Sequence, residues 1–309
     1  MKKSEEGAKK SEVKNLGASV RARLLNIAKR TNRDFNAVLL QYFQERFLFR
    51  LSVSRYKTAF ILKGALLLLA HQISRLRPTR DMDFLGRGIS NDPEDLQKII
   101  QEIARIDSID AVGFGADAVR AERITENGAN NGVRVKLPAT LDGARTILQL
   151  DIGFGDEIVA GPLELDFPVL LDMPVPTLQV YSKESAIAEK FQALVKLNIL
   201  TSRMKDVYDI LFYAQTGSFK LNVLREALET TFSQRGTALE DRSAIYDTAF
   251  TEDSEKQAQW RAFLTQNRIE SFEDFPPAMA RLKDFLEPVC DPQFRYAGAI
   301  WDNAIRRWK

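Results

Sequence analysis

Phe60-Ile61-Leu62-Lys63-Gly64, followed by Arg77-Pro78-Thr79-Arg80-Asp81-Met82-Asp83, decides the reading of this chain. The first run predicts a short buried strand over 60–62 that turns at a glycine into a helix over 64–71. The second predicts a loop and then a strand over 81–85. Strand side chains alternate faces, so Asp81 and Asp83 share one side and Met82 takes the other. Two strand residues separate those carboxylates by about 7 Å. Such a pair can share a divalent cation, and Mg²⁺ favours a few carboxylates together with water and substrate phosphates. The stretch points to metal-assisted phosphoryl or nucleotidyl chemistry, with solvated strand-face residues as the plainer reading.

The rest of the composition narrows the classes. At 309 residues, 45% hydrophobic and 28% charged, the chain can bury a substantial core in one large domain or two ordinary ones. A net charge of +2 does not announce a nucleic-acid binder, so any such contact needs a local basic patch. The single cysteine, Cys290, excludes an internal disulfide and fits a reducing cytosol. With His71 as the only histidine, a Ser-His-Asp triad or a multi-histidine zinc site is hard to build, and His71 reads as a helix end. The longest apolar run, 64–70, is too short to span a bilayer. Residues 1–14 are a mixed-charge run without an apolar core, which predicts a disordered tail rather than a signal peptide.

Outward from the deciding stretch, residues 18–49 show two helical faces, broken and capped at Thr31-Asn32-Arg33-Asp34. Pro93 opens a helix running to about Ile106. Hairpins follow: a strand over 118–125, turn chemistry at Asn127-Gly128 and Asn131-Gly132, an alternating run over 133–137, and Asp142-Gly143 turning into 145–152. Asp151 is thus a third carboxylate on a strand. After Pro174 and Pro176 the pattern becomes helical, with Ser182 opening a helical region that carries Ile187, Phe191, Leu194, Val195 and Ile199 as an apolar stripe. Another helix spans about 203–214, and residues 223–309 read as mostly helical. Trp301, Ile305 and Trp308 fall at helical spacing beside Arg306, Arg307 and Lys309, which predicts a packed terminal helix; an RNA-touching tail is the alternative.

Asp is disfavoured in strands, so three aspartates on single strand faces beside a glycine turn favour a site over a solvated face. Gly64 allows close backbone approach, and a helix N-terminus offers N–H groups to phosphate. The loop Arg77-Pro78-Thr79-Arg80 supplies cations and a hydroxyl, or is a solvated basic loop. Glu184, Glu189 and Lys190, with Arg203, Lys205, Asp206 and Asp209, read from periodicity as surface ion pairs. Lys190, however, lies near the apolar stripe.

Four motifs in order carry a resemblance: Phe60 to Ala65, Arg77 to Asp83, Ala188-Glu189-Lys190-Phe191, and Ser202-Arg203-Met204-Lys205-Asp206-Val207-Tyr208-Asp209. Together they resemble the AbiEii/AbiGii-type toxins, nucleotidyltransferase-like proteins of the DNA polymerase β superfamily, over roughly residues 15–215. The resemblance implies an α+β (mixed α/β) fold: a nucleotidyltransferase-like mixed sheet with flanking helices over 15–180, after the tail 1–14. A mainly helical part over 181–309 would contribute an active-site lysine and aspartate. It further implies a cytoplasmic toxin of a type IV toxin–antitoxin or abortive-infection system, using NTP and Mg²⁺, with tRNA 3′ ends as acceptor and a cognate antitoxin as partner. Asp81 and Asp83 match the metal pair, Gly64 the nucleotide cradle, Lys190 the triphosphate lysine and Asp206 the later essential aspartate. Asp151 joins this catalytic set by strand position and superfamily analogy. Lys63, Arg77, Thr79, Arg203, Lys205 and Asp209 stand beside those positions as nucleotide-binding candidates. Ala65 departs from the family, which often has Gly or Ser there. Transfer to a protein or an aminoglycoside-like hydroxyl, and a non-catalytic binding module, are the rival readings.

Overall fold

Asn15 and Asp34 each accept a hydrogen bond from a backbone N–H three residues on, and these caps start the first two helices. The computed structural model describes residues 15–71, 79–126, 129–270, 272–294 and 298–309. The expected tail 1–14, Arg77-Pro78 and the expected turn at Asn127-Gly128 lie outside the described residues. In chain order the elements are α1 (Leu16–Arg30), α2 (Phe35–Val53), β1 (Phe60–Lys63), α3 (Leu67–Ala70), β2 (Asp81–Gly86), α4 (Pro93–Ala104), β3 (Gly113–Phe114), β4 (Arg120–Glu126), β5 (Ala129–Leu141), β6 (Ala144–Phe154), β7 (Leu163–Asp166) and β8 (Thr177–Val180). There follow α5 (Lys183–Leu197), α6 (Met204–Thr216), α7 (Leu221–Gln234), α8 (Thr248–Thr251), α9 (Ser254–Gln266), α10 (Phe275–Cys290), β9 (Trp301–Asp302) and β10 (Arg307–Trp308).

The fold is mixed α/β. One eight-stranded sheet runs in the order β3-β5-β6-β2-β1-β8-β7, with β4 also paired to the long β5. The inner pairs β2/β6 and β1/β8 are parallel, while β1/β2 and β5/β6 are antiparallel. Asp142 and Gly143 both take positive φ, as a two-residue hairpin turn between β5 and β6 requires. One strand face is apolar: Leu148, Leu150 and Ile152 of β6, with Met82 and Phe84 of β2, are fully buried. The opposite positions are left for polar groups.

α2 is buried nearly all round, including its polar side chains. Three of those anchor loops. Gln44 donates to the carbonyls of Thr79 and Arg80, just before β2. Glu45 accepts from the backbone N–H of Leu170. Arg50 makes a two-pronged bond to Asp110 at 2.6 and 3.2 Å, and the pair is all but fully buried. α2 thus clamps the approach to the aspartate strand.

Two expectations are corrected. Asn131-Gly132 lies inside β5, with Gly132 opposite Ile124, rather than in a turn. The chain end forms a β9/β10 hairpin, not a helix: Trp301 and Trp308 stand opposite each other, and both rings pack on Phe285 of α10. Asp302 accepts from the N–H groups of Ala304 and Ile305, which caps the turn and leaves Ile305 half exposed at its tip.

Breaking a buried ion pair by removing one partner strands the other charge. Arg50→Ala should therefore cost about 3–5 kcal/mol in urea unfolding. A cost below about 1 kcal/mol, typical of a surface pair, would contradict the clamp.

Candidate active site

Register across four strands sets the polar face. Arg134 of β5 stands opposite Asp151 of β6, Asp151 opposite Asp83 of β2, and Asp83 opposite Lys63 of β1. The row reads cation, carboxylate, carboxylate, cation. Asp81, two residues before Asp83, lies opposite Gln149 on the same face. All of these except Gln149 line a cleft of about 420 Å³ that also takes in Gly64, Thr79, Lys190, Arg203, Lys205 and Asp206. The structure thus brings together every described sequence candidate except Asp209, which lies buried behind Lys190. Arg77 lies outside the described residues.

Gly64 opens the turn after β1 with φ +67°, where side chains are strained. A Cβ there would lie 1.9 Å from Oδ2 of Asp83, so only glycine leaves that carboxylate its place. The 3₁₀ turn over Gly64–Leu66 leads directly into α3. His71 caps α3, as expected of a helix end, and burial pushes its imidazole down to about 4.

Burial pushes the Asp83 carboxyl up to about 6; Lys63 opposes the rise and Asp151 adds to it. Asp81 is raised for the same two reasons, burial and then the charge of Asp151. Asp151 itself is held by both arms of Arg134 at 2.9 and 2.8 Å. Among the described residues, the ion pairs of the site engage Asp151, Asp156, Glu189, Asp206 and Asp209, and none engages Asp81 or Asp83.

The helices close the cleft with opposite charges. Lys190 of α5 donates to Asp206 at 3.0 Å and to Asp209 at 2.8 Å, both on α6 and both buried. Arg203, just before α6, donates to the other oxygen of Asp206 at 3.1 Å. Burial opposes ionisation of Asp206, but Lys190 and then Arg203 outweigh it and hold the carboxyl below its ordinary value. The Lys190 contacts are interhelical and buried, which corrects the expectation of surface ion pairs for Lys190, Asp206 and Asp209, whereas the Arg203–Asp206 pair is local to the start of α6 and Arg203 stays exposed. Periodicity sees one helix at a time and cannot show that α5 and α6 face each other.

A second network lies behind Lys63. Its ammonium pairs with Asp156 at 2.9 Å and Glu189 at 3.5 Å, and Arg235 bridges the same two acids at 3.0 Å each. Burial opposes ionisation of Asp156, yet Lys63 and Arg235 hold its carboxyl down at about 2. Asp156, Arg235 and Arg134 were not among the sequence candidates. Arg134 was findable: counting seven residues back from Leu141 and seven on from Ala144, across the Asp142-Gly143 turn, sets it opposite Asp151. Arg235 and Asp156 carry no such local signal.

The donor set suits a hard cation. Asp81 and Asp83 offer carboxylate oxygens to the cleft, with Gly64 keeping the space beside Asp83 clear. Among the described residues no group of three His, Cys, Asp or Glu side chains converges as a self-sufficient metal site. The pair fits Mg²⁺ of the kind completed by water and phosphate oxygens.

The family described as nucleotidyl transferase AbiEii toxin, type IV toxin–antitoxin system, matches residues 46–285. Two crystal structures from Helicobacter pylori are similar in part. A candidate nucleotidyltransferase is 14% identical at a TM-score of 0.41, over 81% of this chain and 98% of its own. JHP933 is 13% identical at 0.41, over 84% of this chain and 99% of its own. No curated protein matches.

A carboxyl raised in the folded state favours folding while it is neutral. For Asp83 that contribution is full below about 4, the unfolded value, and is lost as pH rises through about 6. Without divalent cation, Asp83→Asn should therefore melt above wild type at pH 7.5, and the gain should vanish by pH 4. An equal or lower melting temperature at pH 7.5 would contradict the burial of that charge.

Proposed function

The chain belongs to the AbiEii nucleotidyl transferase toxin family of type IV toxin–antitoxin systems, and from that premise we propose that it transfers a nucleoside monophosphate from NTP to an acceptor hydroxyl, that of a tRNA 3′ end. One observation carries the reading: Asp81 and Asp83 face the same cleft as a lysine whose position is fixed by two buried aspartates. The acceptor oxygen bonds to the α-phosphorus, the α–β phosphoanhydride bond breaks, and pyrophosphate leaves. Asp81 and Asp83 would hold Mg²⁺, which when bound supplies Lewis-acid polarisation of phosphoryl oxygens.

The chain's own side chains do the rest. Asp206 and Asp209 preorganise the Lys190 ammonium against the triphosphate, so little reorganisation is needed during transfer. Arg203 and Lys205, both exposed at the cleft, draw in and neutralise the phosphates. Gly64 lets a phosphate approach the backbone, and Thr79 offers a hydroxyl at the rim. Arg134 holds both oxygens of Asp151, which fixes that carboxylate in place opposite Asp83. Lys63, buried and paired to Asp156 and Glu189, sets the potential beside Asp83.

As a type IV toxin it would act in the cytoplasm beside a cognate antitoxin. Among the described residues no helix is long and apolar enough to cross a membrane.

Incubation with Mg²⁺, each α-³²P-labelled NTP and total bacterial RNA tests the reading. Label should appear on tRNA-sized RNA. Asp81→Asn with Asp83→Asn should lower it by about a hundredfold or more while the fold is kept. Lys190→Ala should raise the KM for NTP. Full activity in the double aspartate variant would sink the assignment.

A further inference from the structure

A second cleft of about 600 Å³ adjoins the first, and the two share Arg203 and Lys205. It lies between the start of α6 and the outer face of α9. Its walls are built rather than incidental. Lys256 of α9 is buried and donates to the carbonyl of Thr201 at 2.7 Å, which pins α9 to the segment before α6. The Phe263 and Tyr208 rings pack 5.6 Å apart across the same junction.

Beyond the two shared cations the lining presents the amides of Gln259, Gln266 and Asn267, the hydroxyl of Ser202, the apolar Met204 and Ala262 and the half-buried ring of Phe263, and no carboxylate. The side-chain nitrogen of Gln259 bonds Glu255, and among the described residues its buried Oε1 meets no donor. Cations at the mouth suit phosphodiesters. Amides and an aromatic ring suit an unpaired base, read by hydrogen bonds and stacking. A volume within the roughly 300–1,000 Å³ usual for bound small ligands has room for a terminal nucleotide. A peptide acceptor has no matching need for two cations beside three amides.

We propose that this α6/α9 cleft is the acceptor subsite and takes the single-stranded 3′ end of a polynucleotide. Arg203 and Lys205, shared by the two clefts, face the triphosphate on one side and the last phosphodiester on the other, and Gln259, Gln266 and Phe263 receive the penultimate bases. The terminal hydroxyl oxygen then bonds to the α-phosphorus of the NTP in the first cleft. The α–β bond breaks, pyrophosphate leaves with the electron pair, and the hydroxyl proton passes to water. This rests on the reading of the first cleft as a nucleotidyl-transfer site.

The test uses the full chain, a 5′-fluorescein single-stranded RNA hexamer read by anisotropy, and a fluorescent NTP analogue measured in parallel. Ala262 and Gln266 are exposed on the cleft side of α9. Ala262→Glu with Gln266→Glu should keep the melting temperature, weaken the hexamer by about tenfold or more, and leave the NTP analogue unchanged. A hexamer ending in 4-thiouridine should photo-crosslink to the α9 peptide. Unchanged hexamer affinity in the variant, or a crosslink elsewhere, overturns the proposal. So does a wild-type chain that binds the NTP analogue but not the hexamer, and in that case the transfer-site reading survives. Binding of neither ligand removes both. Label transferred to protein instead of RNA overturns the polynucleotide assignment alone.

Discussion

Like charges on neighbouring strands repel, and Asp83 and Asp151 stand directly opposite each other in the middle of this sheet. The surrounding structure is arranged around that repulsion. Arg134 neutralises Asp151 from one side, and Lys63 stands beside Asp83 on the other. Asp83 is still left with its carboxyl raised to about 6. A divalent cation bound there would relieve what the protein leaves uncompensated, and on the proposed reading the acidic row would be useful rather than merely costly.

That arrangement depends on parts distant in sequence. Register alone aligns the row, and the Asp142-Gly143 turn sets the register of β5 against β6. Gln44 of α2 fixes the backbone just before Asp81. From the helical side, Lys190 is aimed by Asp206 and Asp209, and Arg235 ties the end of α7 to Asp156 and Glu189 beside Lys63. Fold and site are therefore coupled: the same ion pairs that join the helices to the sheet set the field in the cleft.

Much of this was legible beforehand because strands and turns are local. Alternation placed Asp81 and Asp83 on one face, and the glycine after Lys63 marked the turn that Asp83 needs. The Asp-Gly hairpin even encoded the Arg134–Asp151 pairing, although only counting outward from the turn exposes it. What stayed hidden depends on packing between helices. Arg203, Asp206 and Asp209 looked like a solvated helix edge until α5 was laid against α6. The terminal tryptophans sit at a spacing that suits a helix, but they also fall on the same side of a hairpin, and the ring of Phe285 decided between them. Arg235 has no sequence neighbour in the site at all.

The most direct test of the account is the intact mass of purified tRNA before and after incubation with the protein, Mg²⁺ and each NTP in turn. The account predicts a gain equal to one or more nucleoside monophosphates for at least one NTP, located at the 3′ terminus by nuclease mapping and matched by released pyrophosphate. Pyrophosphate release with no gain in tRNA mass, and the nucleotide recovered on another class of acceptor, would contradict it.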